Sequence, residues 1–209
     1  QEYFLKKYFD DKIRNWLNSD DKLLDFGCGP GIFSFRLSSS VANLIGLDIS
    51  RQFINLATSH NKYSNLQFHY VPNLTDYVFR NKSVFDAILM VDVVHHLEKP
   101  MEILKILVDT LKVDGKLIVY EPNLLNPAIA ALHLFDPNER GLLRFGHKKK
   151  YLQLFRKCNF KLDYFEYNGI VIGPKSKLIK LVVILLNLPL VVKLLGFLNP
   201  KLFMVFSRA

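Results

Sequence analysis

The chain has 209 residues, half of them hydrophobic and 17 of them Phe, which is enough for one domain with a real core and too apolar for a disordered chain. Its 28 Lys and Arg outnumber 19 Asp and Glu, a formal charge of +9 that favours an anionic partner: nucleic acid, an anionic membrane surface or a phosphorylated substrate. Two cysteines, Cys28 and Cys158, have neither metal-ligand spacing nor the density of a disulfide scaffold, so no metal site, no signal peptide and a reducing, cytoplasmic compartment are expected.

Tyr3 to Leu17 carries apolar residues near helical spacing (Phe4, Leu5, Tyr8, Phe9, Ile13), which predicts an N-terminal helix packed beside the first strand. The stretch LLDFGCGPG follows, Leu23 to Gly31. Its apolar start suits a buried parallel strand. Asp25 then precedes three glycines at alternating positions, Gly27, Gly29 and Gly31. Glycine tolerates positive φ and has no Cβ, so the backbone there turns sharply and approaches a ligand closely. Ser34 to Ser40 reads as a short crossover helix. A second apolar run, LIGLDIS, ends in Asp48, and Ser50 caps a helix over Arg51 to His60. Strand, glycine turn, helix and a strand ending in an acid make a nucleotide-binding βαβ unit, with the acid placed for both ribose hydroxyls.

LQFHYV (Leu66 to Val71) is the third strand. VFDAILMVDVVHHLEKP (Val84 to Pro100) holds the fourth, Met101 to Leu111 a helix, and LKVDGKLIVYEPN (Leu111 to Asn123) a turn and the fifth strand. The stretch from Asn123 to Lys150 exceeds an ordinary connection and reads as an insertion or lid. A helix over Lys148 to Lys157 and a strand over Phe160 to Asn168 follow. Residues 175–200 are nearly all apolar, long enough for a bilayer. Asn187, Pro189 and Lys193 argue against a clean span, and two short helices broken at Leu188-Pro189 fit better, with lysines at the interface and leucines in lipid or in a hydrophobic mouth. Simple coverage of the sheet by both helices is the alternative. Leu202 to Phe206 is the expected seventh strand.

The dinucleotide fingerprint G-x-G-x-x-G would put its last glycine at Ile32. Here it stands at Gly31, and Asp25 faces a phosphate badly but an ammonium well. The pattern resembles motif I (D-x-G-x-G-x-G) of the class I S-adenosylmethionine-dependent methyltransferases, and the resemblance extends from about Lys22 to Asn123. It implies an α/β fold, a doubly wound, mostly parallel seven-stranded sheet with a C-terminal antiparallel strand. It implies S-adenosylmethionine as cofactor and S-adenosylhomocysteine as product. Carried over to this chain, the cofactor-binding positions are Asp25, Phe26, Gly27, Cys28, Gly29, Gly31, Asp48, Ile49, Asn73, Leu74, Val91 and Asp92. One departure stands at the third strand: the family's Gly-Asp-Ala is replaced by Val71-Pro72-Asn73, leaving Asn73 as the candidate partner of adenine.

Methyl transfer from a sulfonium needs a base only where the nucleophile must lose a proton. His95 and Glu121 are the candidates for facing substrate, with His96, His133 and His147 behind them. Arg140 and the Lys148-Lys149-Lys150 run suit an anionic head group. The two insertions lie after strands that point at the methyl group, so O- or C-methylation of a hydrophobic small molecule is expected, such as a quinone precursor or lipid-linked intermediate. The alternatives are a nucleic-acid or other polar-substrate methyltransferase, a silent methyltransferase-like binding protein and, least favoured, a nicotinamide dehydrogenase.

Overall fold

The computed structural model describes residues 2–74, 77, 81–135, 145–170 and 177–209. Seven strands form one sheet in the order β3-β2-β1-β4-β5-β7-β6. They are β1 (Lys22–Phe26), β2 (Asn43–Asp48), β3 (Leu66–Tyr70), β4 (Phe85–Val91), β5 (Leu111–Pro122), β6 (Phe160–Asn168) and β7 (Lys201–Arg208). β1 to β5 pair in parallel, and β7 runs antiparallel to both β5 and β6. The strand order reverses between β1 and β4, which makes the carboxyl edge there the binding crevice of a doubly wound sheet.

The helices are α1 (Glu2–Leu5, a π-helical turn Lys6–Asp10, then Asp11–Arg14), α2 (Ile32–Leu37, with a 3-10 turn Ser38–Ser40), α3 (Arg51–His60) and α4 (Pro100–Val108). Then come α5 (Pro127–Phe135), α6 (Lys148–Lys157), α7 (Lys177–Leu186) and α8 (Pro189–Leu195). Successive strand residues point to opposite faces, and the core divides accordingly. Leu23, Leu89 and Ile118 pack with Phe9 and Ile13 of α1 and Leu37 of α2. Leu24, Ile88 and Val119 pack with Leu104 and Leu107 of α4 and with Tyr151 and Phe155 of α6. An Arg36–Asp10 fork, with Nε at 2.8 Å and the second nitrogen at 2.6 Å, bolts α2 to α1.

Several expected boundaries move. α1 ends at Arg14 rather than Leu17. The crossover helix starts at Ile32. α4 stops at Val108, where Thr110 Oγ1 donates to Leu107 O at 2.8 Å; Thr110 O then accepts from Val84 N and Phe85 N, so Leu111 already pairs with Phe85 in the sheet.

The apolar segment forms two helices, as expected. α7 buries Val183, while Leu181, Ile184, Leu185, Leu190 (68% exposed) and Leu194 (62%) face outwards. Among the described residues no single helix is long and apolar enough to cross a membrane; Lys180–Leu186 and Pro189–Leu198 reach that length and composition only together, bent by 71°.

The root of this pair is held by asparagines. Asn123 Nδ2 donates to Phe197 O and Asn199 O, both at 2.7 Å, and Asn126 Nδ2 donates to Leu198 O at 2.6 Å. Asn199 Nδ2 donates to Leu186 O at 3.2 Å. Asn168 and Pro122 both register with Lys201, so α7 and α8 rise from the same carboxyl edge as the β1–β4 crevice. Arg140 and the Asn138–Gly141 cluster lie outside the described residues, as does the His133 side chain.

Candidate functional site

The turn after β1 folds back onto the end of β2: Gly27 N and Cys28 N both donate to Leu47 O, at 2.8 and 3.0 Å. Gly27, Gly29 and Gly31 have φ of 74°, 53° and 83°, where a side chain is strained. Their roles differ. A Cβ on Gly27 would lie 2.5 Å from Val93 Cγ2 and one on Gly31 2.7 Å from Phe68 Cζ, but one on Gly29 would meet nothing within 4 Å. Gly27 and Gly31 let the turn pack, whereas Gly29 presents bare backbone to the crevice.

Asp48 holds this turn from β2. Its Oδ2 accepts from Gly29 N at 2.8 Å and its Oδ1 from Ser50 N at 2.7 Å. Each carboxylate oxygen keeps a second lone pair for a ligand hydroxyl. Beside it Ile49 is 79% exposed, a large apolar side chain left open next to a polar anchor. Asn73 is exposed and Leu74 half-buried, at the end of the neighbouring β3.

Asp25 is buried and accepts from Ser34 Oγ at 2.5 Å. Burial pushes its carboxyl up to about 6, the Ser34 hydroxyl opposing and the Asp48 charge adding. Such a group gains from a cation placed beside it. Burial, with Asp25 and Asp48 nearby, also drives the Cys28 thiol upward, so Cys28 contributes its backbone rather than a thiolate. Phe26 and Val91 are packing groups, half-buried and buried. Among the described residues no group of His, Cys, Asp and Glu suits a metal ion.

On the β4 side the backbone leaves the sheet at Asp92, whose φ is 56°. Its carboxylate pairs with Lys201 Nζ at the start of β7, tying the crevice to the root of α7–α8. The turn then runs through Val93 to His96 over the carboxylate of Glu121, which is fully buried and takes four donors. Val93 N and Val94 N reach Oε1 at 2.9 and 2.7 Å; His95 Nδ1 and Tyr151 OH reach Oε2 at 2.6 and 2.9 Å. Burial first, then Glu121, holds the Tyr151 phenol well above its ordinary range, so it stays a donor. The structure brings His95 and Glu121 together, but with His95 only 1% exposed the pair lies beneath the crevice floor. His96, its ring tilted by 41° against that of His95 at 4.0 Å between centroids, is exposed.

Ser34, Tyr151 and Lys201 were not among the predicted site residues. Their partners lie 9, 30 and 109 positions away in the chain, and no local pattern marks such pairs.

Residues 24–119 match the family model of a methyltransferase domain. With the glycine turn, the two acids and the sheet order, this match marks a methyltransferase domain similar to those of the class I S-adenosylmethionine-dependent methyltransferases. Among curated relatives it is similar to the ubiquinone biosynthesis O-methyltransferases of Rickettsia canadensis, 27% identical over 58% of this chain and 52% of that protein, and of Actinobacillus pleuropneumoniae, 30% over 46% and 43%. The chain thus spans about half the length of the curated relatives it matches. Among solved structures it superposes on the PH0226 protein of Pyrococcus horikoshii with a TM-score of 0.69 at 21% identity, covering 100% of this chain and 92% of that one. A SAM-dependent methyltransferase of Archaeoglobus fulgidus gives 0.66 at 17%, covering 99% of each. At these identities the structures show the fold.

The residues present fit the family's cofactor, S-adenosylmethionine. Bare backbone at Gly29, spare lone pairs on Asp48, the open apolar face of Ile49 and a buried carboxyl at Asp25 match a molecule with a ribose diol, an aromatic base and cationic groups. That cofactor, when bound, supplies a methyl group made electrophilic by its sulfonium. The chain's own part is to bind, orient and exclude water.

Proposed function

We propose that the protein methylates a hydrophobic small molecule on oxygen or carbon, a quinone precursor or lipid-linked intermediate, at a membrane surface. The outward-facing leucines of α7–α8, set on the carboxyl edge that also holds the glycine turn, carry this reading. The similarity to ubiquinone biosynthesis O-methyltransferases favours oxygen over carbon. A lone pair of the acceptor forms the new bond to the methyl carbon as the sulfur–carbon bond breaks and its electrons stay on sulfur. The hydroxyl proton leaves to water or to the exposed His96. Glu121 and His95 position the turn from below. Asp25 takes the ammonium, Asp48 the ribose, and Ile49, Asn73 and Leu74 surround the adenine.

Labelled-methyl assays on lipid extract and on total RNA test the acceptor. Label in a lipid-soluble product supports the reading, and label in RNA alone overturns it. Calorimetry with S-adenosylhomocysteine tests the cofactor separately: micromolar binding, about −8 kcal/mol, is expected, and binding of NAD instead removes the assignment.

A further inference from the structure

Next to the root of α7–α8 lies a groove of about 470 Å³. Its floor is apolar, made by Leu125, Leu152 and Tyr167, and its rim carries His147 and the cations Lys148, Lys149 and Arg156; none of its lining residues is Asp or Glu. The rim lysines stand where helix physics disfavours them, whereas Arg156 lies in the favourable last turn of α6. His147 is the N-cap of α6, and the first turn of this helix carries three lysines and no acid. The N-terminus of a helix is its positive end and normally attracts carboxylates. Concentrating cations there costs stability unless an anion joins them. The His147 imidazole shows the crowding: burial and then Lys150 and Lys149 lower it. Lys148 Nζ sits 3.7 Å from the centre of the Phe165 ring.

The groove is continuous with the apolar pair. Tyr167 O accepts from Asn199 Nδ2 at 3.3 Å, and Asn126, next to Leu125, holds Leu198 O. From there the exposed side chains of Phe197, Leu195, Leu194 and Leu190 lead outwards.

We propose that this groove binds the phosphate of an anionic phospholipid, with the acyl chains lying along α7 and α8. An apolar floor and a leucine ramp suit an amphiphile better than nucleic acid, which would need aromatic platforms or a backbone-tracking channel. The proposal deepens the membrane part of the reading above and does not depend on the methyl acceptor.

The test is sedimentation of the full chain with vesicles of phosphatidylcholine alone or mixed with phosphatidylglycerol. The variants are Lys149→Glu/Arg156→Glu in the groove, Leu190→Glu/Leu194→Glu on the helices, and Lys62→Glu/Lys161→Glu as a control with the same change of charge. The wild type binds the anionic vesicles about tenfold or more tightly than the neutral ones, because each basic residue near the surface contributes. The groove variant loses that preference, the control keeps most of it, and the helix variant loses binding to both. S-adenosylhomocysteine binding stays unchanged in all three, which shows that they fold. Equal losses in groove variant and control overturn the groove, and absence of wild-type binding at low salt overturns the membrane surface, whatever the methylation assay gives. Inorganic phosphate at millimolar levels that abolishes vesicle binding makes it a free-phosphate site. A short RNA that does so at micromolar levels makes it a nucleic-acid site.

Discussion

Tyr151 donates to Glu121 Oε2 at 2.9 Å, with both residues buried, so α6 is hydrogen-bonded to the same carboxylate that holds the turn after β4. Tyr151→Phe removes one donor and leaves three, and should cost about 1–2 kcal/mol of stability. Glu121→Gln is worse, because one amide cannot accept from every donor now served; about 3–5 kcal/mol is expected from breaking such a buried arrangement. Chemical denaturation of both variants measures this. A Glu121→Gln protein as stable as wild type but inactive would return Glu121 to a direct role at the substrate.

Asp25 makes stability and cofactor binding pull against each other. Its folded value of about 6 lies above the ordinary 3.8, so its favourable contribution is complete below about pH 4 and is lost as pH rises through 6. At pH 7 the buried charge costs about 3 kcal/mol. Asp25→Asn should therefore raise the ligand-free Tm at pH 7, and the gain should vanish below pH 4. The same carboxyl must ionise to meet an ammonium, so wild-type affinity for S-adenosylhomocysteine should fall as pH drops below 6. Calorimetry across pH 5–8 with an affinity flat in wild type would remove Asp25 from the ligand.

The glycines separate folding from binding. Gly27→Ala meets Val93 at 2.5 Å in a left-handed backbone, and should lose about 2–4 kcal/mol, part of it restored by adding Val93→Ala. Gly29→Ala enters open space, so it should cost only about 1–2 kcal/mol in stability. It should still weaken the cofactor sharply, because the new methyl occupies the ligand's approach. Thermal melts paired with calorimetry distinguish the two.

Asp48→Ala removes acceptors from Gly29 N and Ser50 N as well as from the ribose. It should weaken S-adenosylhomocysteine by about 1.5–3 kcal/mol and lower the Tm. Asp48→Asn, which keeps one acceptor, should fall between the two; equal binding in all three would show that the ribose lies elsewhere.

The sheet was legible because β1, β2 and β4 are short apolar runs ending in acids or glycine, a pattern that the parallel sheet imposes locally. The helices over Arg51–His60 and Lys148–Lys157 and the strand over Phe160–Asn168 have the predicted bounds; Ser50 caps the first and alternation marks the strand. The start of β5 was hidden: Asp114-Gly115 reads as a turn, and the ladder does break there, but Leu111 already pairs with Phe85 before the break and Lys116 with Ala87 after it. At the site, the turn and Asp48 were readable from spacing. The burial of His95 and Glu121 was not, because it depends on the turn Val93–His95, Glu121 and Tyr151 meeting from three places in the chain, 26 and 30 positions apart.

The π-helical turn at Lys6–Asp10 bears on how the chain tolerates changes of length. Its wider winding places Phe9 and Ile13 in the core while Tyr8 O accepts from both Tyr120 OH and Asn168 Nδ2, each at 2.9 Å. The tail ends of β5 and β6 thereby read the rotational phase of α1. Deleting one residue within this turn would swing everything before it by about 100° relative to everything after. The amino-terminal helix is thus indexed to the sheet like a key cut for one lock, and substitutions along it should be survivable where frame-preserving deletions are not.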